Sequence, residues 1–299
     1  SAQVASLTTA QIAALTSDQI AAIETADLRA MNSSQIAALH TEDVAALSTA
    51  QVAALSNAQI VALTSAQVAS LGSDQIVALS TAQVAAIESR DLRAMTTAQI
   101  AAFETADIRA LTTGQVAALG SEQLGALSTD QVGAISTAGI RVIGTAQIGG
   151  LTTDAIAALG SAQVAQLTTA QVHALSTAQI AAIESADLKA LGTAQIAVLG
   201  TDDIVALGTD HVSALTTAQI VALTTQQIAS LTTDQIGALG SAQIAAIQTA
   251  DLRAMTTAQL AAFDSADIVA LTTGQVASLR TDQIAALTSS QFEALESAD

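Results

Sequence analysis

The sequence predicts an all-α fold: an elongated solenoid, or superhelix, of short one-to-two-turn helices, one in each eight-residue repeat. Three observations lead there. Every eighth residue from Val4 to Phe292 is a large apolar side chain, and so is every eighth from Leu7 to Leu295, through 37 consecutive octads. Ser, Thr or Asn opens every octad. The 299 residues contain no proline and show no shift in composition, so residues 1–299 read as one continuous array. A fixed short period of this kind marks stacked units that cannot bury a core alone.

Thr9-Ala10-Gln11-Ile12-Ala13-Ala14-Leu15-Thr16 is representative, and its residues define positions 1 to 8. A continuous helix fits poorly. Eight residues advance a helix by about 800°, so each repeat would sit about 80° around from the last and the apolar stripe would find no fixed partner. A strand would send positions 4 and 7 to opposite faces, and Ala and Gln are poor strand formers. A helix broken and restarted in each octad remains.

The Ser or Thr at position 1, and Asn57, are suitable N-caps. Where position 8 is Ser or Thr, the Gln at position 3 of the next octad completes a Ser/Thr-x-x-Gln capping box, so either hydroxyl can cap. Gly at position 8, as at Gly72, reads as a helix end in a left-handed conformation. Positions 4 and 7 then share one face. The nearly constant Ala at position 6 predicts close approach between neighbouring turns. Stacked Gln side chains at position 3 suggest a ladder, and Thr at positions 8 and 1 suggests hydroxyl rows.

Substitutions follow a longer order. Asp replaces Gln at position 3 in Asp27, Asp43, Asp91, Asp107, Asp187, Asp203, Asp251, Asp267 and Asp299, always at multiples of 16 residues. Basic residues at position 5 (Arg29, Arg93, Arg109, Arg141, Lys189, Arg253) keep the same parity. Alternate octads in different environments would explain this, giving a coil of two octads (16 residues) or of four. The segment Ala85–Leu119 recurs as Ala245–Leu279, which shows growth by block duplication.

Net charge is −18 with eight basic residues, which opposes nucleic acid and anionic membrane surfaces. Cysteine is absent, so disulfides, thiolate metal sites and cysteine nucleophiles are excluded. Mean hydropathy is +0.52, yet polar residues interrupt every octad and no run approaches the roughly 18 residues of a membrane span. His40, His173 and His211 fall at positions 8, 5 and 3. Being out of phase, they read as surface residues and not as a repeated metal site. Met31, Met95, Met255, Phe103 and Phe263 share position 7 and read as larger core fillers. A Ser or Thr that recurs in every octad is a cap and not a nucleophile. No enzyme, metal or cofactor is expected.

The most individual side chains form a candidate partner-facing stripe: Asp27, Arg29, Asp91, Arg93, Asp107, Arg109, Asp187, Lys189, Asp251 and Arg253. The same charges can instead fix register between layers.

The phrase Leu47-Ser48-Thr49-Ala50-Gln51-Val52-Ala53-Ala54-Leu55 resembles the first helix of the TAL-effector DNA-binding repeat. The longer repeat and base-reading loop of that family are absent. Over its whole length the chain resembles the low-complexity Leu-Thr-Thr-Ala-Gln-Ile-Ala-Ala-Leu octad tracts of very large bacterial secreted or surface proteins, often labelled adhesin-like. That resemblance implies an extracellular or cell-surface stalk or filament whose length follows repeat number. It would form by self-association or as one long chain. The alternative is an adhesion array that binds a glycan or protein through the Asp/Arg face, and a regular Thr array suggests ice binding as a minor reading. The chain begins without Met and stops three residues into an octad, which reads as a window of a longer array.

Overall fold

The computed structural model describes residues 2–297. Among them, 37 helices run from α1 (Ala2–Ala5) to α37 (Ser289–Ser297), one per octad, with no strand. In α7 (Thr49–Ala54) the N-cap is Ser48, at position 8. Its hydroxyl accepts from the Gln51 backbone N–H at 3.3 Å, and its own N–H donates to Gln51 Oε1 at 2.8 Å. The structure thus selects position 8 as the cap and makes position 1 the first helical residue. The reason is reciprocity. Three residues after position 8 stands Gln, which returns a hydrogen bond, whereas three after position 1 stands an aliphatic that cannot.

Every helix but α37 ends by position 6. Leu55 has φ −59°, ψ 137° and Ser56 φ −72°, ψ 157°, so two extended residues swing the chain into the next helix. No described residue has positive φ. The position-8 glycines are therefore helix entries, not left-handed exits: Gly72 is an extended N-cap at φ −76°, ψ 159° without a side-chain cap bond. A Cβ there would meet only Gln75 Oε1, at 3.7 Å. Gly72→Ser is accordingly expected to stabilise by about 0.5–1 kcal/mol, by adding a cap and removing unfolded-state freedom. A lowered denaturation midpoint would contradict this.

The chain divides into two compact units, Ser1–Leu151 and Thr152–Asp299. Within each, a helix packs on the helix three octads away. In the first unit α9 (Ser65–Ala69) packs on α12 (Ser89–Ala94), and in the second α29 (Thr225–Ser230) packs on α32 (Thr249–Ala254). Side-chain hydrogen bonds reach the octad four back, as from Gln51 to Ile23 O at 2.8 Å. One turn of the coil therefore takes between three and four octads. The two-octad layer does not form, because the extended corner turns the path through less than a half-circle. Octads with Asp and with Gln occupy equivalent places, and nothing in the structure explains their even spacing.

Positions 4 and 7 build the core. Ile100 is fully buried and Phe103 is 3% exposed; Met31, Met95, Met255 and Phe263 are buried at the same position 7. Position 5 faces outward, as Val61 at 41% exposure shows. Position 6 lies along the stacking line. The approach is close between α16 (Ser121–Gly125) and α19 (Thr145–Ile148), where a Cβ on Gly150 would lie 2.9 Å from Ser121 Cβ.

Candidate functional site

The chemistry that recurs in every turn lies at position 3. Gln83, on α11 (Thr81–Ala86), is buried. Its Oε1 accepts from the Ser80 N–H at 2.8 Å and the Ser80 hydroxyl at 2.9 Å. Its Nε2 donates to Val52 O at 3.1 Å and Leu55 O at 2.8 Å, four octads back. In the second unit Gln259, on α33 (Thr257–Ala261), bonds Ile228 O at 3.2 Å and Leu231 O at 2.7 Å in the same way. A helix of one or two turns leaves most of its end groups unpaired. One Gln side chain caps the start of its own helix and closes the end of another. The seam is thus amide to backbone, not the Gln-to-Gln ladder that the repeat suggested.

His211, on α27 (Thr209–Ala214), occupies position 3 and does the same work. Nδ1 accepts from the Gly208 N–H at 3.2 Å and Nε2 faces Ile183 O at 2.8 Å, which fits the tautomer protonated on Nε2. It is a seam residue and not an incidental surface histidine. His40 serves as an N-cap residue and its Nε2 lies 3.0 Å from Ala13 O, while His173 is exposed.

Asp at position 3 keeps at most half of this arrangement. Asp43 Oδ2 accepts from the His40 N–H at 2.9 Å, but a carboxylate has no N–H to send back. Its other oxygen takes a position-1 hydroxyl 26 residues earlier, Ser17 Oγ at 2.8 Å. Ser65 bonds Asp91 at 2.5 Å, Thr177 bonds Asp203 at 2.9 Å, Thr225 bonds Asp251 at 2.6 Å, and Ser161 bonds Asp187. Oδ2 of Asp91 and of Asp251 is buried without a partner. Burial pushes the Asp107 and Asp267 carboxyls above the usual carboxylate range.

The candidate stripe therefore splits. Asp91, Asp107, Asp187 and Asp251 are buried in the seam, and Asp27 is half-buried. They are not surface groups. Arg29, Arg93, Arg109, Lys189 and Arg253 are exposed, and none forms an ion pair among the described residues. The Asp-Leu-Arg pairs do not meet, because residues two apart on a helix point away from each other. Arg93 Nε donates to Ala118 O at 3.3 Å in the next turn. Asp299 lies outside the described residues.

Position-8 Thr hydroxyls are engaged in caps, as Thr112 is with Gln115 at 3.0 and 3.2 Å, and so form no free hydroxyl row. No group of three or more His, Cys, Asp or Glu among the described residues could hold a metal ion. Among the described residues no helix is long and apolar enough to cross a membrane. The amide seam escaped sequence reasoning because the capping box already accounted for Gln. His211 was the available signal, since it too offers an acceptor and a donor.

The family described as ALTTAQ repeat matches residues 20–57, 52–81, 84–103, 100–137, 132–161, 156–182, 180–217, 214–246, 244–281 and 264–297. No curated protein matches the chain.

Proposed function

The chain belongs to the ALTTAQ repeat family, and on that premise we propose that it is a structural coil serving as an extracellular stalk or filament at a bacterial surface. The observation that carries this reading is the position-3 seam. Gln after Gln bonds the carbonyls 28 and 31 residues back, as Gln83 bonds Leu55 and Val52 and Gln259 bonds Leu231 and Ile228. An added octad thus meets the same partners as the one before it, and length scales with copy number. The next turn of seam can come from the same chain or from another copy, since both present identical groups.

Removal of whole blocks of octads from within one unit tests this. Particle length in electron micrographs is expected to fall in proportion, with the helical circular dichroism per residue unchanged. Compact particles whose length ignores octad number would overturn the reading.

A second reading, an adhesion array for an anionic glycan or an acidic protein, rests on the exposed and unpaired cations at position 5. Arg93 also borders an open groove with Thr96, Thr97, Gly120, Ser121 and Glu122. Changing Arg93, Arg109 and Arg253 together to Ala would abolish such binding while leaving the coil intact. Under the stalk reading, surface retention of the variant equals that of the parent.

A further inference from the structure

Where Gln stands at position 3 with an earlier turn beneath it, its amide supplies a donor to the position-7 carbonyl 28 residues back, at 2.7 Å for Gln99 to Leu71 and 2.6 Å for Gln235 to Leu207. At Asp107 the corresponding carbonyl is that of Leu79, and at Asp267 that of Leu239. Neither carbonyl accepts a hydrogen bond among the described residues. Both carboxyls are buried, and in each Oδ2 takes an N-cap N–H: Glu104 at 3.1 Å and Asp264 at 3.2 Å. The second oxygen is left for the seam. Asp267 Oδ1 has only a long contact of 3.4 Å from Ser241 Oγ, and no such contact is made by Asp107. The donor that the Gln amide supplies elsewhere is therefore absent at both positions.

We propose that Asp107 and Asp267 are acid-operated seams: each takes a proton from solvent on Oδ1 and then donates to the carbonyl 28 residues back, as the Gln amide does elsewhere. Oδ2 keeps the N-cap bond, so the protonated carboxyl reproduces both halves of the Gln contact in a shorter side chain.

The charged surroundings favour the neutral form. On its own helix α14 (Thr105–Ala110), Asp107 has Glu104 as N-cap and the exposed Arg109. Of the helices around it, α11 carries no ionisable residue, α10 (Ser73–Val77) carries Asp74 and α17 (Thr129–Ala134) carries Asp130. Asp267, on α34 (Ser265–Ala270), has Asp264 as N-cap. There α31 (Ser241–Ala246) carries none, α30 (Thr233–Gly237) carries Asp234, and α37 carries Glu293. Apart from Arg109 these groups are acidic. Burial is the first cause raising both carboxyls, with the N-cap carboxylate adding to it. A carboxyl raised in the folded chain contributes stability that is fully present below its ordinary value. That contribution is lost as pH rises through the raised value.

The test compares thermal melts at pH 7 and pH 3.5 for the parent chain, the Asp107→Asn/Asp267→Asn variant and an Asp154→Asn/Asp202→Asn control of equal charge change at exposed positions. Asn is the fixed mimic of the protonated carboxyl. The seam variant is expected to melt about 2–4 °C above the control at pH 7, and the difference is expected to close at pH 3.5, below the ordinary carboxyl value of about 3.9. A seam variant that melts below the control at pH 7, or keeps its full advantage at pH 3.5, overturns the proposal. So that a misfolded variant cannot leave the matter open, carboxyl-carbon resonances of the parent chain are titrated in parallel. Two Asp titrating above the ordinary value of about 3.9 are expected, and their absence overturns it as well.

Discussion

Gln83→Ala is expected to destabilise the first unit by about 2–4 kcal/mol, an unusual cost for one polar side chain. Two groups lose their partner at once, the Ser80 N–H and the Leu55 carbonyl, and a third, the Val52 carbonyl, is left with only the Leu55 N–H. All three lie in or beside the buried seam. A buried polar group left unsatisfied costs roughly 1–3 kcal/mol, so the loss exceeds that of an ordinary surface hydrogen bond. Gln11→Ala supplies the internal control. Gln11 makes the same cap, with Thr8 N–H donating to Oε1 at 2.8 Å, but is exposed and reaches no earlier turn. Its loss is expected to cost about 1 kcal/mol, as for a cap alone. Urea denaturation of the two variants measures the difference, which is the contribution of the bonds between turns. Equal costs would show that Gln acts only as a cap.

Leu92→Ala is expected to cost about 2–5 kcal/mol, the range for emptying a fully buried Leu site. Leu92 has no exposed surface, and its helix α12 touches both α9 and α15 (Thr113–Ala118), so the cavity would open between three turns of the coil. The core is only two rows of side chains thick, which leaves few neighbours able to relax into the space. Val61→Ala removes a comparable aliphatic at position 5, where the side chain is 41% exposed, and is expected to stay within about 0.5 kcal/mol. Denaturation midpoints decide between them. A Val61 variant as damaging as the Leu92 variant would mean that position 5 faces a partner and not solvent.

The position-3 residues show where the reading of the sequence stopped. Gln at N3 of a capping box is a local signal, complete within four residues, and it was legible. The second half of the same side chain acts 28 to 31 residues away, as Gln51 does on Ile20 and Ile23. No octad carries a mark of that distance. Asp91 and Arg93 appeared as one surface pair for the same reason. Spacing places both on a helix, but only the stacked turn shows that the carboxylate is buried against Ser65 while the guanidinium stays outside.

By itself the sequence determined that the chain is all helical, that one short capped helix forms in each octad, and that positions 4 and 7 make the core. These follow from hydrogen bonds and periodicities closed within eight residues. Only the tertiary structure decided that the coil takes between three and four octads per turn, that Gln and His211 join the turns, and that most position-3 aspartates are interior. Those outcomes depend on the corner made by two extended residues. Small angles at that corner, repeated in every octad, set which distant backbone each side chain meets.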